Sequence, residues 1–371
     1  MLKFRVCVAF CLLLSLANCK QVERDGTISF AHVNGDKVTV CDLSKTSSQE
    51  VLLLSELVEE LEIIHLEDID EAFFKAWVIT VTDNYIGIRQ SGAPFKLFDR
   101  KGHFLHDIGK VGNGPGEYSI SLYDEIIDEK NNRIYFSSFM GDKIMVYGMD
   151  GSHIEDIQLP FRMQKPKIEL TDEGNLTVVH MPFPDDEYFA FQMDMQGNIL
   201  KKVAPRDDIR VFSFDSELFS YRNGTDFDVY HTALDTLYHL DTNSLELVPV
   251  LTSAGREDDW LCVYNELPHR YLLNVFNWKT RENKMISTKK GAETSSQVKL
   301  MNDYLGNLEM DFSFNKGYFI QNIEPGALME KIEKHLANSS LDNEGKEKLN
   351  ALLGTLHEDQ NNVLMVGRMK K

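Results

Sequence analysis

Basic residues are in short supply: 39 lysines and arginines face 58 aspartates and glutamates across 371 residues, a net charge of −19. A chain this acidic repels phosphate backbones, which argues against nucleic acid as its main partner. Cysteine is also scarce. Of five, Cys7, Cys11 and Cys19 fall within the first nineteen residues. That leaves Cys41 and Cys262, one possible pair and no disulfide framework for a body of this size. Two separate buried thiols are the simpler expectation. No Cys-x-x-Cys or His-Glu-x-x-His spacing occurs, so a zinc site has no sequence support, and no Gly-x-Ser-x-Gly marks a nucleophilic serine. No cofactor is expected. What is present is ordinary for a globular protein: 43% hydrophobic, 26% charged and 10% aromatic residues.

The first twenty residues read as an export signal. Lys3 and Arg5 give a short positive start, and residues 6–16 form an unbroken apolar or small-residue run of eleven. That suits a signal peptide and falls short of the ~20 residues a spanning helix needs. The segment ends Leu16-Ala17-Asn18-Cys19, which resembles the lipobox of bacterial lipoproteins. The resemblance implies cleavage before Cys19 and acylation of that residue, a stable anchor without a spanning helix. An ordinary secretory signal with an incidental Cys19 is the alternative. Loss of Lys3 and Arg5 with the signal takes the net charge from −19 to −21.

The body repeats. A strand, an Asp/Gly turn and a second strand occur around Asp99-Arg100-Lys101-Gly102, around Asp150-Gly151, around Asp194-Met195-Gln196-Gly197 and, in weaker form, around Asp241-Thr242-Asn243-Ser244. The aspartates fall 51, 44 and 47 residues apart. Asp and Gly suit such turns because they tolerate left-handed backbone. Two more short strands are expected upstream of each of the first three hairpins: 78–82 and 85–89, 125–128 and 133–137, 168–170 and 176–180. Four strands per unit at this period predict a β-propeller, not a sandwich. Residues 78–320 supply about five units. Strands near both termini, 62–66 and 363–368, are expected to build a sixth by closing the ring, since an open ring leaves edges exposed. The fifth unit, around 271–300, shows no clear strand pattern. Leu328, Met329, Ile332 and Leu336 share one helical face, as do Leu349, Leu352, Leu353 and Leu356. These predict two helices, the second capped by Ser340 or Asp342. The expected organisation is signal 1–18, anchor and linker 19–60, and an all-β, six-bladed β-propeller of four-stranded blades over 61–371, with a helical insertion at 326–358.

Phe98-Asp99-Arg100-Lys101-Gly102-His103-Phe104-Leu105-His106-Asp107-Ile108-Gly109, followed by Gly112-Asn113-Gly114-Pro115-Gly116-Glu117-Tyr118, resembles the six-bladed β-propeller lipoproteins of Bacteroidetes, which are related in fold to NHL-repeat propellers. Asp235-Thr236-Leu237-Tyr238 and the acidic run before a last strand, Glu358-Asp359-Gln360-Asn361-Asn362-Val363-Leu364, resemble the same family, although Asn362 stands where it usually has proline. The resemblance implies a fold and an envelope location, on the periplasmic or the cell-surface side. It implies no general reaction.

Candidate sites follow from propeller topology. Gly112 to Tyr118 lacks the Gly-Lys-Ser/Thr ending of a phosphate loop and joins strand to strand, so no helix N-terminus is offered to an anion. It is expected to be a tight connection between blades that brings Glu117 and Tyr118 towards the channel mouth. Loops after second strands are expected on the same face and contribute Arg89, His180 and His231. These five residues combine cation, anion, phenol and imidazole, a mixture that orients a polar ligand. The plainer alternative has Arg89 and Glu117 pairing and Tyr118 packing between blades. Asp185, Asp186 and Glu187 could hold Ca²⁺ or form a solvated loop, and His180 and His231 could act as a metal or acid/base pair if they converge. The expected function is a lipid-anchored module that binds a polar ligand or an envelope protein, with no reaction assigned. The alternatives are a hydrolase or lyase acting on carbohydrate or peptide material at the channel mouth, and a structural subunit of an envelope complex.

Overall fold

The computed structural model describes residues 26–33, 35–118, 121–311, 313–338 and 341–371. The export segment and Cys19 lie outside the described residues. Six antiparallel sheets form the blades of a β-propeller, each counted here from its innermost strand. Blade one is Ala76–Val81, Tyr85–Gln90, Phe95–Asp99 and Phe104–Ile108. Blade two is Leu122–Asp128, Arg133–Ser138, Met140–Gly148 and His153–Gln164. Blade three is Lys167–Leu170, Leu176–Val179, Ala190–Met193 and Ile199–Val203. Blade four is Leu218–Phe219, Phe227–His231, Thr236–Leu240 and Leu247–Ala254. Six apolar clusters, one between each pair of neighbouring blades, make up the core. This is why the middle strands read as nearly continuous apolar runs.

The repeated turn has two physical roles. Asp99 Oδ1 accepts the N–H groups of Lys101 and His103, and Asp194 Oδ1 those of Gln196 and Asn198. The positive-φ position falls on Gly102, Gly151 and Gly197, and on Leu245 in the weaker fourth copy. A Cβ on Gly102 would lie 2.3 Å from the His65 carbonyl oxygen, one on Gly151 2.8 Å from that of Asp107, and one on Gly197 2.4 Å from that of Gln158. Each contacted carbonyl belongs to the outer strand of the preceding blade. The glycine therefore both turns the hairpin and lets the blades close on one another.

Blade six closes the ring from both ends of the chain. Its order is Phe314–Asn315, Tyr318–Ile323, Val363–Arg368 and then Glu62–His65, with Leu364 opposite Ile64 and Val366 opposite Glu62. The helices Pro325–Asn338 and Asn343–Leu353 lie between its second and third strands. They bury Leu328, Ile332, Leu349 and Leu352 against blades five and six, and Asp342 caps the second helix by accepting the Gly345 N–H.

Blade five is regular: Trp260–Glu266, Arg270–Asn277, Asn283–Lys289 and Ser296–Asn302. Its last turn carries Gly291 at positive φ but follows Lys289-Lys290 in place of an aspartate, which hides it from the repeat. Residues expected as linker also differ from that expectation. Ile28–Val33 and Asp36–Asp42 extend the outer edge of blade four, the second strand running parallel to 251–254. Gln49–Leu53 pairs in parallel with 297–301 of blade five. These edge strands cover backbone groups that two blades would otherwise leave unpaired. Cys41 and Cys262 are free, buried thiols.

Candidate functional site

The inner strands of all six blades line a central cavity of about 600 Å³. Its floor is built by two turns that cross the channel. Residues 220–226, between the first two strands of blade four, reach the other blades: Arg222 Nη2 pairs with both Asp124 oxygens of blade two at 2.9 Å, and Nη1 donates to the Ile168 carbonyl of blade three. Asn223 Nδ2 donates to Asn265 Oδ1 of blade five (2.7 Å) and to the Phe314 carbonyl of blade six (3.3 Å). The hairpin of blade six returns the contact, with the Lys316 N–H donating to the Tyr221 carbonyl at 2.7 Å and the Gly317 N–H to Asn223 Oδ1 at 3.1 Å. Arg222 and Lys316 both sit at positive φ, 52° and 51°, a conformation long side chains rarely adopt without support from their surroundings.

Charged groups converge above this floor. Arg89 Nε lies 2.8 Å from Glu125 Oε2 and its Nη1 donates to the Leu122 carbonyl. Thr80 donates to Glu125 Oε1, and Lys316 Nζ donates to the Glu125 carbonyl at 2.6 Å. Asp124 Oδ2 also accepts the Ile168 N–H at 2.9 Å. Burial pushes both carboxyl groups up, but the cations outweigh it: Arg222, Lys167 and Lys316 hold Asp124 well below the usual carboxylate range, and Arg89 and Lys316 hold Glu125 below it. Both are ionised and fully engaged. In such a network, removing one partner leaves a buried charge uncompensated.

Two buried lysines nearby behave differently. Lys165 donates to the carbonyls of Phe214 (2.7 Å) and Ser216 (2.6 Å) and to Glu217 Oε1 (2.7 Å). Lys167 lines the cavity at 8% exposure, and its ammonium donates no hydrogen bond to any described residue. It stands 4.5 Å over the ring of Tyr123, whose hydroxyl is fixed by donation to Glu217 Oε2 at 2.6 Å. Burial pulls its pKa down to about 8; Asp124 opposes the shift, while Arg89 and Arg222 add to it. At the rim, Trp77 is half exposed.

Of the five residues expected at the site, only Arg89 lines this cavity. Arg89 pairs with Glu125, not Glu117. Glu117 Oε2 accepts the Gly114 N–H at 2.8 Å within its own turn. Tyr118 is buried between blades one and two, where its hydroxyl accepts the Phe95 N–H (2.9 Å) and donates to the Ile108 carbonyl (3.1 Å). Tyr147 ties the same turn down by donating to the Gly116 carbonyl at 2.9 Å. The Gly-rich stretch is thus a clamp between blades. His180 packs beside Phe161 and Phe191, and His231 is buried on the second strand of blade four. Burial holds both imidazoles down to about 4, so both are neutral at pH 7. In the acidic loop of blade three, Asp186 accepts the Phe183 N–H at 2.8 Å and Arg210 donates to the carbonyls of Phe183, Pro184 and Asp186. Among the described residues, no group of three or more acidic, histidine or cysteine side chains is placed to hold a metal ion. Asp124, Glu125, Lys167, Arg222 and Lys316 were not singled out from the sequence. Their signal was charge on or beside inner strands, where apolar residues are the rule.

A putative exported protein from Bacteroides fragilis shares this architecture, with a TM-score of 0.63 at 19% identity over 90% of this chain and 100% of that one. A member of the duf4221 family from Bacteroides vulgatus aligns at a TM-score of 0.46 and 9% identity, over 85% of this chain and 98% of that one. No curated protein matches. The family model described as "Domain of unknown function (DUF4934)" matches residues 38–255, more than half of the sequence, and the chain belongs to that family.

Proposed function

We propose that this protein is an exported, envelope-located binding module whose ligand site is the central cavity, and that it carries out no reaction there. One observation carries the reading: charged side chains from three blades and two crossing turns meet at a floored cavity of about 600 Å³, within the range of small-molecule sites. A purely structural ring has no need of ionised groups there, since apolar side chains of similar volume fill a channel at no greater cost. The location rests on the export signal and on Cys19, taken as the acylated residue of a lipoprotein. A thermal-shift screen of neutral, anionic and cationic polar compounds tests the site. A compound that raises the unfolding midpoint should bind the Arg89→Met variant at least tenfold more weakly, while Glu117→Ala and His180→Ala, outside the cavity, bind it as the parent does. Equal binding by Arg89→Met, or a screen with no binder, refutes the proposal.

A further inference from the structure

We infer that the ligand of the central cavity is an organic anion and that Lys167 is the group that meets its charge; this rests on the cavity being a binding site. The inference comes from counting which polar valences are already used. The carboxylates at the floor are spent: Asp124 on Arg222 and the Ile168 N–H, Glu125 on Arg89 and Thr80. Glu217 is taken by Lys165 and Tyr123. Lys167 is the contrast: the residue is only 8% exposed, yet its ammonium opens into the cavity without an acceptor among the described residues. A cation held in a largely desolvated cavity with no acceptor of its own keeps its donors for a ligand, and an anion seated on it forms charge-assisted hydrogen bonds. In a chain of net charge −19, the cavity lining is locally balanced, Arg89, Lys167, Arg222 and Lys316 facing Asp124, Glu125, Glu217 and Asp311. The cavity volume far exceeds that of a bare inorganic ion, and Trp77, half exposed at the rim, offers a flat apolar surface to a carbon skeleton.

The groups facing Lys167 set how binding depends on pH. They are Asp124, Glu125 and Tyr123 from the inner strand of blade two, Arg89 from blade one and Arg222 from blade four. With a folded pKa of about 8, Lys167 is largely charged at pH 7 and largely neutral at pH 9. Anion affinity should therefore fall about tenfold over that range, and binding should take up a proton at its upper end.

Calorimetric titration with glucuronate, glucose 6-phosphate and glucose, at pH 7 and pH 9, tests this. At least one of the two anions should bind and glucose should not; which anion binds tells a carboxylate ligand from a phosphate. Lys167→Met should weaken that binding at least tenfold at pH 7 and remove its pH dependence, while keeping a single cooperative thermal transition and the parent's circular dichroism spectrum. Glucose binding as well as the anions, or Lys167→Met retaining full anion affinity, overturns the inference. So does failure of both anions while a neutral compound binds in an Arg89-dependent way, in which case the binding site itself stands. If no compound of any charge binds, both readings fall.

Discussion

Replacing Gly102 by alanine probes how blades one and six close against each other. Gly102 has a φ of +91°, and a Cβ there would sit 2.3 Å from the His65 carbonyl oxygen. That oxygen belongs to Glu62–His65, the strand that completes the ring. Two costs arise. Left-handed backbone costs alanine about 1–2 kcal/mol, of which the stiffer unfolded chain returns about 0.4–1 kcal/mol. The contact adds about 1–3 kcal/mol, because a carbon 2.3 Å from a backbone oxygen must push the closing strand aside. Gly102→Ala should therefore cost about 2–4 kcal/mol. Gly174 is the internal control: its φ is +80°, and a Cβ there meets nothing within 4 Å. Gly174→Ala carries only the backbone cost, about 1 kcal/mol or less. Gly197→Ala, 2.4 Å from the Gln158 carbonyl, repeats the test at the interface of blades two and three. Equilibrium unfolding in urea measures all three. If Gly102→Ala and Gly174→Ala cost the same to within about 0.5 kcal/mol, the glycine serves the turn alone and its packing role is wrong.

Deleting residues 363–371 removes the buried Val363, Leu364, Met365 and Val366 and separates Glu62–His65 from its partner. At about 1.5–3 kcal/mol per buried side chain, the loss is comparable with the whole stability of a typical domain, so the cooperative thermal transition should vanish; its survival would mean that the ring closes elsewhere. Cys19→Ser should release the protein from the membrane fraction, and persistent lipid labelling of that variant would refute the anchor. The unfolded chain protonates its histidines near pH 6.5, whereas His180 and His231 in the fold do so only near 4. Stability should thus fall as the pH drops from 7 to 5, by about 2 kcal/mol for each histidine. His231→Gln should remove about that much of the difference in urea stability between pH 7 and pH 5; an unaltered difference would place the ring outside the core.

The blades that could be read in the sequence were those whose turns carry aspartate or glycine, because the same local chemistry recurs at each. Even there the glycine was the better marker. Gly151 is equivalent to Gly102 and Gly197, while the position equivalent to Asp99 and Asp194 is Gly148, with Asp150 two residues on. Blade five turns at Lys289-Lys290-Gly291, and one glycine among lysines is no pattern. The edge strands at 28–53 were hidden because they add to blades formed two hundred residues later, and local propensity carries no information about such partners. Ring closure by 62–66 and 363–368 was legible because edges must be covered. Of the five candidate residues, Arg89 alone falls at the central cavity. Exposed-looking polar residues such as Glu117 and His231 turned out to satisfy local packing. The charges that meet at the cavity come from five stretches of chain, and no spacing rule brings Asp124, Lys167, Arg222 and Lys316 together.

The turns that floor the channel also bear on traffic. With residues 220–226 and the Lys316 hairpin bonded across its base, the ring is a cup rather than a pipe, and whatever enters must leave by the same rim. For a ligand of the kind proposed above, one bound molecule would block its successor, exchange would be limited by departure, and nothing would be relayed through the ring from one side to the other. Any larger body resting on the rim would act as a stopper and lengthen the stay of what lies beneath it.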